Sequence, residues 1–128
     1  LRLVNIIRLP GGGELRLVFI CGFDKLVIMN INVNPQQAEK AAALLASMSN
    51  PHRLRVLCQL HEAELTVGEL QERIGISQSN LSQQLAKLRE ANLVKTRRDS
   101  QKIFYTLASD EVVQVIHVLH DLFCRDAD

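Results

Sequence analysis

Between Thr66 and Glu90 the run "TVGELQERIGISQSNLSQQLAKLRE" specifies two helices and leaves only three residues to turn between them. Thr66 with Glu69 three positions later forms a capping-box start, in which each residue satisfies the other's free backbone N–H. Gly75 is the stop, because a residue without Cβ enters the left-handed conformation that ends a helix at little cost. Ser77 caps the second helix, whose Leu81, Leu85 and Leu88 fall at i, i+4 and i+7 and make one apolar stripe. A corner as short as Gly75-Ile76-Ser77 turns the second helix sharply across the first, which predicts a helix-turn-helix. The rest of the chain has to be arranged around that corner.

The outward face of the second helix carries Gln78, Ser79, Ser82 and Gln83, with Asn80 beside them. It is polar and uncharged, whereas exposed helices ordinarily prefer Glu and Lys, which solvate well and propagate helix. Amides and hydroxyls match the paired donors and acceptors on base edges in the DNA major groove, where a Glu would be repelled by phosphates. After Asn92 the apolar period changes from helical to alternating. "LVKTRR" and "KIFYTL" flank Asp99-Ser100-Gln101 and predict a β-hairpin with a basic tip. A helix-turn-helix followed by such a hairpin is a winged helix.

Charge supports that expectation. The whole chain has a formal charge of +1, but Lys87–Lys102 holds six basic residues (Lys87, Arg89, Lys95, Arg97, Arg98, Lys102) against Glu90 and Asp99, a local +4. Lys87, Arg97, Arg98 and Lys102 are therefore candidates for phosphate contacts, which supply affinity and orientation without sequence information. No nucleotide-binding glycine motif accompanies Cys58 or His61, the residues best suited to be a nucleophile or base. We therefore expect a binding protein and no enzyme. No cofactor is called for.

The 128 residues suit one small domain, and aliphatic residues dominate, with no Trp and one Tyr, favouring a mainly α fold. Asn34-Pro35 and Asn50-Pro51 each pair a cap with a first-turn proline and start two further helices. In the second of these, Leu54, Leu57, Cys58 and His61 are expected to share an apolar face. Ser109 or Asp110 opens a last helix with the stripe Val112, Val115, Ile116, Leu119, Leu122 and Phe123. Residues 35–128 are thus expected to form the DNA-binding domain. Residues 1–34 form an N-terminal extension, expected to be disordered or non-native, with Met29 a candidate start and two apolar runs, 15–20 and 26–31, able to form a hairpin. No apolar run is long enough to span a bilayer, and three cysteines do not make a disulfide scaffold, so a cytoplasmic protein is expected.

The run "ELTVGELQERIGISQSNLSQQLAKLREANLVKTRRDSQKIFYTL" resembles the ArsR/SmtB family of winged-helix repressors, over about residues 36–125. The resemblance implies a homodimer built from the first and last helices, bound to an inverted-repeat operator in double-stranded DNA. It also bears on the effector. The arsenic and cadmium sensors carry a C-x-C pair where this chain has Thr66-Val67-Gly68. The zinc sensors use D-x-H-x₁₀-H-x₂-(E/H). His117 and His120 supply the second half of that pattern, but its first half falls at Phe104 and Thr106, which cannot ligate. A metal-responsive repressor using His117, His120 and Asp121 remains an alternative, though no metal site is assigned.

Cys58 and Cys124 match a different subgroup, the persulfide and oxidant sensors that include the biofilm-growth and sulfide-quinone-reductase repressors and the haemolysin regulator of vibrios. The resemblance implies that reactive sulfur species link these two thiols and lower operator affinity. It also leaves open the opposite sign of regulation, an anti-repressor of virulence genes.

Overall fold

A computed structural model describes residues 4–8, 14–18, 28–29 and 32–125 of the chain, the first three stretches as strands. In order the elements are β1 (Val4–Arg8), β2 (Glu14–Val18), β3 (Ile28–Met29), α1 (Pro35–Met48), α2 (Pro51–Glu62), β4 (Leu65–Thr66), α3 (Val67–Ile74), α4 (Gln78–Glu90), β5 (Val94–Asp99), β6 (Lys102–Leu107) and α5 (Asp110–Phe123). They divide into two units, Leu1–Ala38 and Glu39–Asp128. The first holds an antiparallel sheet in the order β1-β2-β3. β2 and β3 fall on the two apolar runs and pair with each other, and β1, which lies outside both runs, pairs along the other edge of β2. Cys21 lies outside the described residues.

The helix starts follow the expected caps. Asn34 and Gln37 exchange side-chain-to-backbone hydrogen bonds at the head of α1, and the Asn50 side chain accepts from the backbone of His52 and Arg53 at the head of α2. Thr66 and Glu69 form both halves of the capping box on α3. Ser77 and Ser109 cap α4 and α5. Each cap satisfies donors that would otherwise be orphaned, an effect of about 1 kcal/mol. Gly75 ends α3 at φ 74°. Asn92 follows α4 at φ 57°, the left-handed position that asparagine tolerates better than most residues.

The hairpin has the expected basic tip but starts one residue later and is tighter. Asp99 pairs with Lys102, leaving only Ser100 and Gln101 in the turn. The sheet has a third strand that hydropathy did not reveal. Leu65 pairs with Tyr105 and Thr66 with Phe104, so the order is β4-β6-β5. This short strand fastens the wing to the residue that caps α3.

The core of the second unit gathers Val56, Leu57 and Leu60 of α2, Leu70 and Ile74 of α3, Leu81, Leu85 and Leu88 of α4, Leu93, Val94 and Tyr105 of the wing, and Val112 and Ile116 of α5. Leu81, Leu85 and Leu88 are almost fully buried. Burial of each contributes roughly 1.5–3 kcal/mol, which fixes the rotation of α4 about its axis and hence which residues it presents outward. On α2 the expected face is displaced. Val56, Leu57 and Leu60 turn inward, Leu54 is half-buried, and Cys58 and His61 are exposed at the edge next to α5. A repeat at i, i+3, i+4, i+7 identifies a stripe but not its centre, and here Leu54 and Leu57 of the expected stripe pack on the core while Cys58 and His61 do not.

Candidate nucleic-acid interface and thiol pair

Once Leu81, Leu85 and Leu88 are seated, the helical period carries Gln78, Ser79, Ser82 and Gln83 to the outside of α4, where all four are exposed. The Ser79 hydroxyl lies 3.4 Å from that of Ser77, and the amides of Gln78 and Gln83 have no side-chain partner among the described residues. Lys87 is exposed one turn beyond Gln83. Asn80 differs from its neighbours. It sits half-buried on the shoulder of the helix, and its Oδ1 accepts a hydrogen bond from Gln84 Nε2 at 2.9 Å.

Gln84 is the buried polar residue of the described structure, 7% exposed, and it escaped the sequence reading. Its Oε1 accepts from Arg53 Nη1 at 3.1 Å. Arg53 also donates through Nε to the Ser47 carbonyl at 2.6 Å and through Nη2 to the Ala46 carbonyl. The last turn of α1, the start of α2 and the first turn of α4 are therefore joined by one chain of hydrogen bonds. A signal for Gln84 was present, because it shares the stripe of Leu81, Leu85 and Leu88. Nothing local marked Arg53 as its partner.

The wing separates its basic residues by face. Cross-strand pairing puts Lys95, Arg97, Asp99, Lys102 and Phe104 on one side, and Arg98 with Ile103 on the side that continues to Tyr105. Arg98 and Lys102 are exposed. Arg97 is exposed too, but its guanidinium is engaged: it donates to Glu64 through Nε at 3.1 Å and through Nη2, and lies 4.7 Å above the Phe104 ring. The hydrogen bond from Arg97 holds the Glu64 carboxyl below its usual range, with the Arg97 charge adding to the effect. Arg97 thus braces the wing against the segment before β4, and Arg98 and Lys102 carry the more available charge.

Cys58 on α2 and Cys124 at the end of α5 are both free and exposed. Partial desolvation pushes the Cys58 thiol above its ordinary range, and the nearby Cys124 and Glu62 charges push the same way. The two helices also meet at His61 and His117, whose Nε2 atoms are 3.1 Å apart with the rings edge to face. His117 is therefore turned toward α2. Among the described residues no three His, Cys, Asp or Glu side chains converge into a metal-binding group, and no helix is long and apolar enough to cross a membrane.

Comparison with known proteins agrees with this geometry. Residues 50–96 match the model of the bacterial regulatory protein arsR family. The chain is 48% identical over 97 residues to the transcriptional activator HlyU of Vibrio cholerae, a match spanning 76% of this chain and 90% of that one. It is 45% identical over 89 residues to the biofilm growth-associated repressor of Xylella fastidiosa, spanning 70% of this chain and 78% of that one. A solved structure of reduced HlyU from Vibrio cholerae superposes with a TM-score of 0.67 at 50% identity, covering 70% of this chain and 95% of that one. With the helix-turn-helix, the wing and these relatives in agreement, the chain belongs to the arsR family of bacterial transcriptional regulators.

Proposed function

We propose that the protein is a homodimeric repressor that binds an inverted-repeat operator in double-stranded DNA and leaves it when Cys58 and Cys124 become linked. In this reading α4 lies in the major groove. Gln78, Ser79, Ser82 and Gln83 read base edges, while Lys87, Arg98 and Lys102 hold phosphates. Arg97 assists from its brace with Glu64. A second copy is called for by the apolar side chains left in solvent on the first and last helices: Leu45 is 57% exposed, Leu122 62% and Phe123 78%. A two-fold axis through these helices would present two copies of α4 to successive major grooves on one side of the duplex.

The observation that supports the switch is that Cys124, at the end of α5, lies near enough to Cys58 on α2 for its charge to act on that thiol. A thiolate attacks the sulfane sulfur of a persulfide, takes that sulfur as its own persulfide and releases the donor thiolate. The other thiolate then attacks the cysteine-bound sulfur, displaces hydrosulfide and leaves a disulfide. If the second cysteine has also been persulfidated, its terminal sulfur makes the attack and the bridge gains one sulfur. A bridge would tie α5, with its exposed apolar end, to α2, whose Arg53 is hydrogen-bonded to α4 through Gln84. The spacing and tilt of the two reading helices would then change together. The name of the Vibrio cholerae relative, an activator, supports the alternative sign, an anti-repressor working through the same DNA contacts.

The test is mass spectrometry of the reduced protein after parallel exposure to glutathione persulfide, peroxide and glutathione disulfide. The expected product of persulfide is an intramolecular Cys58–Cys124 bridge, with or without extra sulfur. Bridges confined to other cysteine pairs would contradict the proposal.

A further inference from the structure

The chain of hydrogen bonds that ends at Asn80 has a direction, and the direction follows from chemistry alone. An arginine has five N–H donors and no acceptor, so the atom of Gln84 facing Arg53 Nη1 at 3.1 Å must be the amide oxygen. The other end of the Gln84 amide is then its NH₂, so the atom of Asn80 facing it at 2.9 Å must be Oδ1. Turning either amide over would set donor against donor inside a buried contact, which costs the desolvation of both groups. The ambiguity that usually attends amide orientation is removed here by the arginine. Asn80 Oδ1 is consequently directed toward Gln84, and Nδ2 is the group left to face outward. No carbonyl or side chain among the described residues accepts from Nδ2.

We propose that Arg53 and Gln84 determine part of the operator specificity by making Asn80 a donor-only reader. This rests on α4 being the reading helix, on which Asn80 occupies the N-terminal turn, where recognition helices contact base edges. An amide with both edges free pairs with adenine, accepting from N6 and donating to N7. Oδ1 keeps a second lone pair, but with the oxygen turned toward Gln84 the edge of Asn80 left for the groove is its NH₂, which disfavours that pair. Its two hydrogens fit guanine, whose groove edge carries the acceptors O6 and N7, and meet only a donor on cytosine. Arg53 and Gln84 touch no base themselves. They are positioning residues acting through Asn80, and the Arg53 bonds to the Ala46 and Ser47 carbonyls tie the reader to the end of α1.

The experiment is selection of a randomised operator library by the reduced protein, with variants compared position by position. Wild type is expected to prefer guanine over cytosine by roughly tenfold or more at the position whose preference Asn80→Ala erases. Gln84→Glu keeps the acceptor that Arg53 needs but offers only oxygen to Asn80, so the Asn80 amide turns over and presents Oδ1. Preference at that position is then expected to move toward adenine or cytosine, with the positions governed by Gln83 unchanged. Gln84→Met, which matches the volume and removes both bonds, should flatten the same position. Thermal unfolding of each variant confirms that folded protein is compared. An unchanged preference in Gln84→Glu would overturn the proposal, as would an Asn80→Ala loss spread evenly over all sequences, which would put Asn80 on a phosphate. If Gln83→Ala and Ser79→Ala also left every position unchanged, the assignment of α4 as reader would fail as well.

Discussion

Replacing Gly75 by Ala isolates the cost of the corner between α3 and α4. Gly75 sits at φ 74°, and a Cβ built there would meet no atom within 4 Å. Crowding is therefore absent, and the penalty is that of holding an L-residue left-handed, about 1–2 kcal/mol. Removing glycine's extra freedom from the unfolded chain returns about 0.4–1 kcal/mol. The net loss should be about 1 kcal/mol, equivalent to a fall of about 4–8 °C in Tm for a domain of this size. Gly75→Asn should lose less, because asparagine enters the left-handed region more readily. The assay is urea unfolding at one fixed protein concentration, since any dimerisation makes stability depend on concentration. The midpoint should fall with an unchanged slope. A loss above about 3 kcal/mol, or Ala and Asn behaving alike, would refute the claim that backbone conformation alone holds this corner.

The remaining predictions concern charge, pH and assembly. Arg98→Ala and Lys102→Ala should each weaken binding to all DNA sequences alike and reduce the salt dependence by about one ion-equivalent, whereas Arg97→Ala should change the slope less, its charge being paired with Glu64; titrations across salt concentrations would show it. Alkylation of Cys58 should be slow at neutral pH and rise as pH climbs through a thiol pKa above the ordinary value, because only the thiolate reacts and desolvation favours the neutral thiol. An inflection below that of a free thiol would reverse this assignment. Phe123→Glu, at a side chain 78% exposed in the single chain, should shift sedimentation toward monomer and weaken operator binding without lowering the helix content.

What could be read in the sequence depended on how local the governing contact was. The caps at Asn34, Asn50, Thr66, Ser77 and Ser109 act over two or three residues, so their signals are complete within a few letters of sequence. The outward face of α4 was legible because Leu81, Leu85 and Leu88 define its opposite. β4 was not, because two residues make no hydropathy pattern and their pairing is with Tyr105 and Phe104 far along the chain. The brace between Arg97 and Glu64 joins residues 33 apart, and the relay from Arg53 to Gln84 joins residues 31 apart. In both cases the residue types announced charge or polarity but not the partner. The stripe expected to run through Cys58 is off centre, since periodicity does not say how far a neighbouring helix covers it.

If linkage of Cys58 to Cys124 weakens operator binding, fluorescence anisotropy of a labelled operator before and after persulfide treatment reads it out. Wild type is expected to lose affinity by about tenfold, a coupling of about 1.4 kcal/mol, and to recover it on reduction. Cys58→Ser and Cys124→Ser should bind DNA like the reduced wild type and ignore persulfide. If Cys58→Ser were still released by persulfide, or if zinc released wild type with both thiols free, the thiol switch would be contradicted.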